Sequence, residues 1–137
     1  MIKKITSNDE LIAIIIPHDF HKDGVEFFSP KEFSQQLGYM KHPKGYNIQP
    51  HIHKLVVREI QYTQEVLLVK SGKIRVDFYS NEKKHIGKEE LTAGDVILLA
   101  SGGHGFTFLE ESELIEIKQG PYISFKVDKE RFEEANE

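Results

Sequence analysis

Apolar residues along this chain fall into short runs, which Gly, Pro and charged turns separate. Runs of this length are typical of β-strands, in which successive side chains point to opposite faces. The pattern predicts nine strands, at Leu11–Ile16, Val25–Phe28, Gln35–Met40, His51–Ile60, Glu65–Lys70, Lys73–Tyr79, Asp95–Ala100, Gly105–Leu109 and Leu114–Lys118. Many short strands with frequent turns and almost no helix predict an all-β sandwich or barrel.

Two stretches predict different positions within that sheet structure. In VKSGKIRVDFY, a tight turn at Ser71-Gly72 leads into residues Lys73–Tyr79, where apolar and polar side chains alternate. Such alternation indicates a strand with one buried face. In GDVILLA, all four residues Val96–Leu99 are apolar, so both faces of this strand are expected to be buried in the middle of the fold.

Helical patterns are almost absent. A turn is predicted at Pro30–Ser34, and a short helix is predicted in the charged tail Asp128–Asn136. There Asp128 is a candidate N-cap, and Phe132 is expected to anchor the tail on the body of the protein. The chain has no internal repeat and no linker, so residues 1–137 are expected to form a single domain.

Composition narrows the classes of function. The 137 residues are 39% apolar and 29% charged with a net charge of −4, and the basic side chains are scattered, so no nucleic-acid partner is expected. No cysteine is present, so any metal must be bound by histidine and carboxylate side chains. Neither a signal peptide nor a membrane span is recognisable, and the cytoplasm is therefore the expected location.

Two of the seven histidines stand one residue apart, His51 and His53 in NIQPHIHKLV. On a strand both imidazoles point to the same face about 7 Å apart, a spacing at which one metal ion can bind both. The other histidines have less informative surroundings and are interpreted as surface or hydrogen-bonded residues: His18, His21, His42 and His85. His104 differs from these four because it follows the buried strand of GDVILLASGGHGF.

Glycine and glutamate spacings accompany these histidines. Gly45 precedes His51 in GYNIQPHIH, and Glu65 precedes Gly72 in EVLLVKSG. In these motifs, over roughly residues 45–106, the chain resembles the cupin superfamily. The resemblance implies a double-stranded β-helix, the cupin jelly-roll barrel, with extra N-terminal strands and a short C-terminal helix. It also implies one divalent metal ion (Zn, Fe, Mn or Ni), bound by His51, His53, Glu65 and His104.

The motifs depart from the cupin pattern at Ala100, where cupins have Pro, in the gap from Gly102 to His104, which is one residue short, and most seriously in one other spacing. Eleven residues separate His53 from Glu65, where cupins have a much shorter gap. A plain hairpin of the two predicted strands would hold Glu65 more than about 15 Å from His53. Either a bulge or loop within Lys54–Thr63 takes up the extra residues, or three histidines bind the metal together with water or another side chain such as Gln49.

The resemblance implies that the protein acts on a small polar metabolite, with a sugar or sugar derivative favoured and an isomerase- or epimerase-like reaction expected. One alternative is a non-catalytic module that binds carbohydrate or another metabolite, and a further alternative is an iron-dependent oxygenase. The sequence identifies no catalytic residue, so whether the protein is an enzyme stays open. Candidate substrate-binding residues near the site are Gln36, Tyr39, Tyr46 and Gln49. The apolar runs LIAIII and VEFF predict a homodimer that buries an edge strand, and no membrane partner is expected.

Overall fold

The computed structural model describes residues 1–133, which form antiparallel sheets and one short helix. The strands are β1 (Lys3–Ser7), β2 (Glu10–Ile16), β3 (Gly24–Phe27), β4 (Gly38–Lys41), β5 (Glu65–Ser71), β6 (Lys73–Tyr79), β7 (His85–Thr92), β8 (Val96–Leu99), β9 (Gly103–Phe108) and β10 (Glu113–Lys118). The helix α1 spans Phe125–Asp128. The all-β class predicted from the sequence is confirmed, whereas none of the sheets closes into a barrel.

The largest sheet has five strands in the order β1-β2-β8-β5-β10. Its central strands β2 and β8 are buried on both faces, as the unbroken apolar run Val96–Leu99 predicts. Residues of β2 contribute to two clusters: Ile12, Ala13 and Ile15 belong to one, and Ile14 and Ile16 belong to the other. The β1–β2 pairing is irregular at Ile12, which has no partner in the register. Because both clusters exclude water, this sheet is covered on each side.

A second sheet of three strands, in the order β7-β6-β9, lies on one of those faces. Its residues Ile74, Val76 and Phe78 belong to the same buried cluster as Leu67 and Leu99 of the five-stranded sheet. The side of each sheet that points into this cluster is called the inner face below. The other face of the five-stranded sheet is covered by residues of the β3–β4 region, among them Phe28 and Leu37.

The turn at Ser71-Gly72 connects the two sheets. β5 pairs with β8 and β10, whereas β6 pairs with β7 and β9, so the predicted tight turn joins strands of different sheets. Gly72 has φ +88°, and a Cβ there would overlap the side chain of Ser112. Glycine is therefore required both for the backbone conformation and for the close approach.

The predicted strand His51–Ile60 is wrong: these residues are exposed and belong to no strand. A strand is stabilised by its neighbours, and no strand of the described chain pairs with this segment despite its β-branched side chains. Conversely, β1 and β7 were not predicted from the sequence. Both are rich in charged residues and hold their places by pairing with β2 and β6.

The C-terminal tail differs in part from its prediction. Asp128 is the last residue of the short helix α1 and not the N-cap of a following one. The predicted helix is not formed over the described residues up to 133, and its last residues lie outside them. Phe132 does anchor the tail, because its ring packs edge-on against Tyr79 at a centroid distance of 5.0 Å. No helix in the described part of the chain has the length and apolarity needed to cross a lipid bilayer.

Candidate functional site

The two sheets bring Glu65 and His104 together. Glu65 is the first residue of β5, and His104 is the second residue of β9. The Nε2 atom of His104 lies 3.5 Å from Oε1 of Glu65. Glu65 shares the inner face because it pairs with Leu99, and His104 does so because it pairs with Phe78. A buried carboxylate thus faces a half-buried imidazole at one end of the core.

Two residues of β10 extend this polar group. Lys118 pairs with Glu65, and Glu116 pairs with Leu67, so both lie on the inner face. Sequence reasoning missed them because the alternation in ELIEIK assigns Ile115 and Ile117 to the core. In the structure these two isoleucines lie on the other face of the edge strand and are largely exposed. Glu65, His104, Glu116 and Lys118 are called the inner-face cluster below.

Glu65 is held as an anion. The imidazole of His104 is the main reason why the pKa of Glu65 falls from 4.5 to about 2, against the opposing effect of burial. Glu116 and Lys118 lower this pKa further. The hydrogen bond to Glu65 is the main reason why the pKa of Glu116 is raised. Glu65 therefore keeps its negative charge, while Glu116 holds its proton more tightly than an ordinary glutamate does.

His51 and His53 lie apart from this cluster. Their rings approach each other edge-on at 5.2 Å in the exposed segment before β5, and Nδ1 of His51 is 3.0 Å from the carbonyl oxygen of Gln49. The four expected metal ligands thus form two separate pairs, Glu65 with His104 and His51 with His53. Among residues 1–133, no group of three or more His, Asp or Glu side chains is arranged to hold a metal ion.

Three of the four candidate substrate-binding residues, Gln36, Tyr39 and Tyr46, make contacts that do not involve Glu65 or His104. Tyr39 packs against Phe20 in the cluster on the outer face of the five-stranded sheet, away from Glu65. The side-chain amide of Gln36 donates to the carbonyl oxygens of Pro30 and Phe33, which closes its own loop. Tyr46 is exposed and stacks on His42 with a centroid distance of 3.8 Å.

A groove of about 1040 Å³ opens beside the candidate site. It lies between residues 59–64, the turn that joins β1 to β2, and the glycine-rich stretch before β9. Pro30, residues 32–34 and Asn81 complete its wall, and its polar side chains include Ser34, Gln64, Asn81 and Ser101. This volume is large enough for a small metabolite.

A second polar cluster occupies the outer face of the three-stranded sheet. Nε2 of His85 lies 2.9 Å from Oδ1 of Asp77, and Nε of Arg75 donates to Oδ2 of the same carboxylate over 3.0 Å. Burial raises the pKa of Asp77, but the hydrogen bonds from His85 and Arg75 outweigh it and hold the pKa below its usual value. His85 is thus a hydrogen-bonded residue, as interpreted from the sequence.

The apolar run LIAIII has no part in an exposed edge. Its residues Ile12–Ile16 are buried between β1 and β8 and form much of both core clusters. Of VEFF, Val25 and Phe27 are exposed and Phe28 is buried. The homodimer stays a prediction, but LIAIII cannot supply its interface.

Comparison of the chain with protein-family models, curated proteins and solved structures finds no significant match. The resemblance to the cupin superfamily therefore stays a prediction based on the spacing of the motifs around His51, Glu65 and His104.

Proposed function

We propose that the protein acts on a small polar metabolite, with a sugar or sugar derivative favoured, by proton transfer at the inner-face cluster. The observation that carries this proposal is the 3.5 Å contact between the buried carboxylate of Glu65 and Nε2 of His104. Isomerisation and epimerisation of sugars both need a group that removes and returns a proton, and histidine is the side chain best suited to this near neutral pH.

The two residues have different roles in this proposal. With a pKa of about 2, Glu65 is too weak a base to remove a proton from carbon near neutral pH. Its charge instead orients the imidazole and keeps hydrogen on Nε2, which leaves Nδ1 of His104 to accept the proton of the substrate. His104 is accordingly the proposed catalytic residue, and Glu65 is a positioning residue.

Binding without turnover is the second candidate function. The groove of about 1040 Å³ favours it, because neither Glu65 nor His104 lines that groove. A metabolite bound among Ser34, Gln64 and Ser101 would be captured by hydrogen bonds from polar side chains, away from the imidazole.

The cupin-type jelly roll belongs to the same proposal. It is supported by the motif spacing and by a core that residues of two sheets share. The divalent metal is not part of this proposal and stays a prediction. The described arrangement of His51, His53, Glu65 and His104 does not fit a single ion. The iron-dependent oxygenase stays a prediction with it, and no step of the proposed reaction is assigned to a metal.

Exchange of substrate protons with solvent tests this function. A panel of sugar phosphates and nucleotide sugars in D₂O, followed by NMR, should show deuterium entering at carbon beside a carbonyl or at the epimerised carbon. His104→Gln should slow this exchange by about 10²-fold or more, the usual contribution of a general base. Glu65→Gln should slow it less and shift its pH profile, because the imidazole loses its orienting anion.

The matched control is His85→Gln, which alters a histidine hydrogen-bonded on the outer face. Equal exchange rates for wild type and His104→Gln would contradict the catalytic proposal. Saturable binding of a panel member without any exchange, unaffected by His104→Gln and weakened by Ser101→Ala, would identify the groove as the functional site.

A further inference from the structure

The strand β10 has an open edge. It pairs with β5 on one side, and within residues 1–133 no strand pairs with its other side. Its six residues contain no proline, and Ile115 and Ile117 are exposed beside the free backbone groups. An edge of this kind is a template on which a further strand can add.

The segment Ile52–Val57 has the composition of a strand but no partner. Leu55 and Val57 are fully exposed, and Ile52 is 88% exposed. Together with Val56, four of the six residues are apolar, and three of those four are β-branched. Apolar side chains in such a continuous stretch are unfavourable in water unless another surface covers them.

We propose that residues 52–57 of a second copy of this chain add to the open edge of β10 as an antiparallel strand, in a reciprocal exchange that forms a symmetric dimer. The segment and the edge have the same length, six residues each. In the proposed register Leu55 lies opposite Leu114, and Ile52 lies opposite Ile117. This inference concerns assembly and does not depend on the proposed function.

The register continues rows of side chains that already cross the sheet. On the outer face, Ile14, Leu98, Val66 and Ile117 lie in successive strands, and Ile52 of the second copy extends that row. On the inner face, Leu55 of the second copy meets Leu114, which packs against the shared core. Apolar pairs directly across two strands are stabilising, so both contacts favour this alignment.

Charge is also complementary between the segment and the edge. Glu110, Glu111 and Glu113 make the start of β10 acidic. Lys54 and Arg58 of the second copy flank Val56, which lies opposite Glu113, so both are diagonal neighbours of that carboxylate on the same face. Opposite charges in these positions attract each other and disfavour the reversed strand direction.

The same chain is poorly placed to supply this strand to its own edge. The register puts Arg58 past the Glu113 end of β10, opposite Glu111, whereas Glu65 pairs with Lys118 at the opposite end, about 24 Å away along the strand. The intervening residues are held near that opposite end. The backbone N–H of Gln64 donates to Oε1 of Gln119 over 2.9 Å, and Thr63 donates to Asp128 over 2.5 Å. A second copy reaches the edge without breaking these contacts.

The exchange would complete the inner-face cluster from two copies. In this register His53 of the second copy lies opposite Glu116, which is hydrogen-bonded to Glu65. His51 of the second copy lies opposite Lys118 at the same end. The paired imidazoles would then stand beside the carboxylates from which the described chain separates them.

Light scattering measures the dimer directly. We expect wild-type protein at about 50 µM to have twice the 15.8 kDa mass of the chain. Leu55→Asp should raise the dimer dissociation constant by about a hundredfold or more, because a buried leucine is lost in each copy. Its circular dichroism should match wild type, since Leu55 is fully exposed in the single chain. Val25→Asp, at another exposed apolar position, is the matched control and should remain dimeric.

Disulfide trapping tests the register. The chain has no natural cysteine, so only the introduced cysteines can form a disulfide. Leu55→Cys with Leu114→Cys should give a disulfide-linked dimer on a non-reducing gel. Leu55→Cys with Ile115→Cys is the control, because Ile115 faces the other side of β10, and it should stay unlinked.

Several results would overturn the inference. A monomer at every concentration, or a Leu55→Asp dimer as tight as wild type, would exclude the exchange. A disulfide formed within one chain would show that the segment adds to its own edge, and linkage through Ile115→Cys would refute the register. None of these measurements uses a ligand, so they are independent of the solvent-exchange test of function.

Discussion

Replacing Glu65 by Gln should destabilise the fold in a pH-dependent way. The pKa of Glu65 is about 2 in the folded chain, compared with an ordinary value of 4.5. A difference of that size corresponds to roughly 3 kcal/mol of stabilisation near pH 7. The raised pKa of Glu116 acts in the opposite direction and is relieved by the same substitution. We therefore expect a net loss of about 2 kcal/mol in the free energy of unfolding.

The sign of the pH dependence follows from the lowered pKa. Because the folded state holds Glu65 as an anion more strongly than the unfolded state does, the stabilisation is complete above about pH 4.5 and disappears as the pH falls toward 2. Urea unfolding of wild type and Glu65→Gln between pH 7 and pH 3 should give a difference in the free energy of unfolding that is constant down to about pH 4.5 and narrows below it.

A double-mutant cycle with His104→Gln tests whether His104 is the residue that stabilises the Glu65 anion. Once His104 is gone, Glu65→Gln should cost much less, since the main cause of the lowered pKa is absent. Glu90→Gln is the matched control, because this exposed carboxylate of β7 lies 3.2 Å from Lys73 at the surface and should change stability by less than about 0.5 kcal/mol. A Glu65→Gln penalty that stays constant with pH, or survives His104→Gln, would refute the reasoning.

Three further predictions concern stability measured by urea or thermal unfolding. Phe78→Ala removes a completely buried ring from between the sheets and should cost about 3–5 kcal/mol; a cost near zero would contradict the shared core. Asp77→Asn should cost about 1–3 kcal/mol near pH 7, with the difference from wild type shrinking as the pH falls below 3.8, because the lowered pKa stabilises the anion above that value. The pair His51→Ala with His53→Ala, assayed on monomeric Leu55→Asp protein, should leave the melting temperature within about 2 °C, since both rings are exposed; a larger fall would place them in a packed site.

Sequence patterns predicted the strands that bury their own side chains. β2, β6 and β8 carry apolar residues at the positions that enter the core, so their burial follows from the pattern itself. β1 and β7 escaped prediction because their charged residues outnumber the few apolar ones that reach the core, Ile5 in β1 and Ile86 and Leu91 in β7, and because pairing with β2 and β6 fixes their place. Pairing of that kind depends on distant parts of the chain, which a local pattern does not contain.

The candidate site was predicted only in part for a related reason. The spacing motifs singled out Glu65 and His104, and the structure places these two in contact. Glu116 was missed because β10 turns its isoleucines outward, against the rule that apolar residues face the core. The histidine pair was expected beside Glu65, but residues 52–57 form no strand in the described chain, and composition alone does not determine which edge a strand-like segment joins.

The two-sided burial of β2 has a consequence for mutational tolerance. Every side chain from Ile12 to Ile16 faces one of the two cores, so a library randomised there should retain only apolar residues among folded variants. Residues 52–57 are nearly as apolar but exposed in the single chain, and a copy that never associates should accept almost any residue at them. A library randomised at residues 52–57 can be selected first for folding and then for function. If another surface covers this stretch in the working protein, polar variants should be lost only in the second selection.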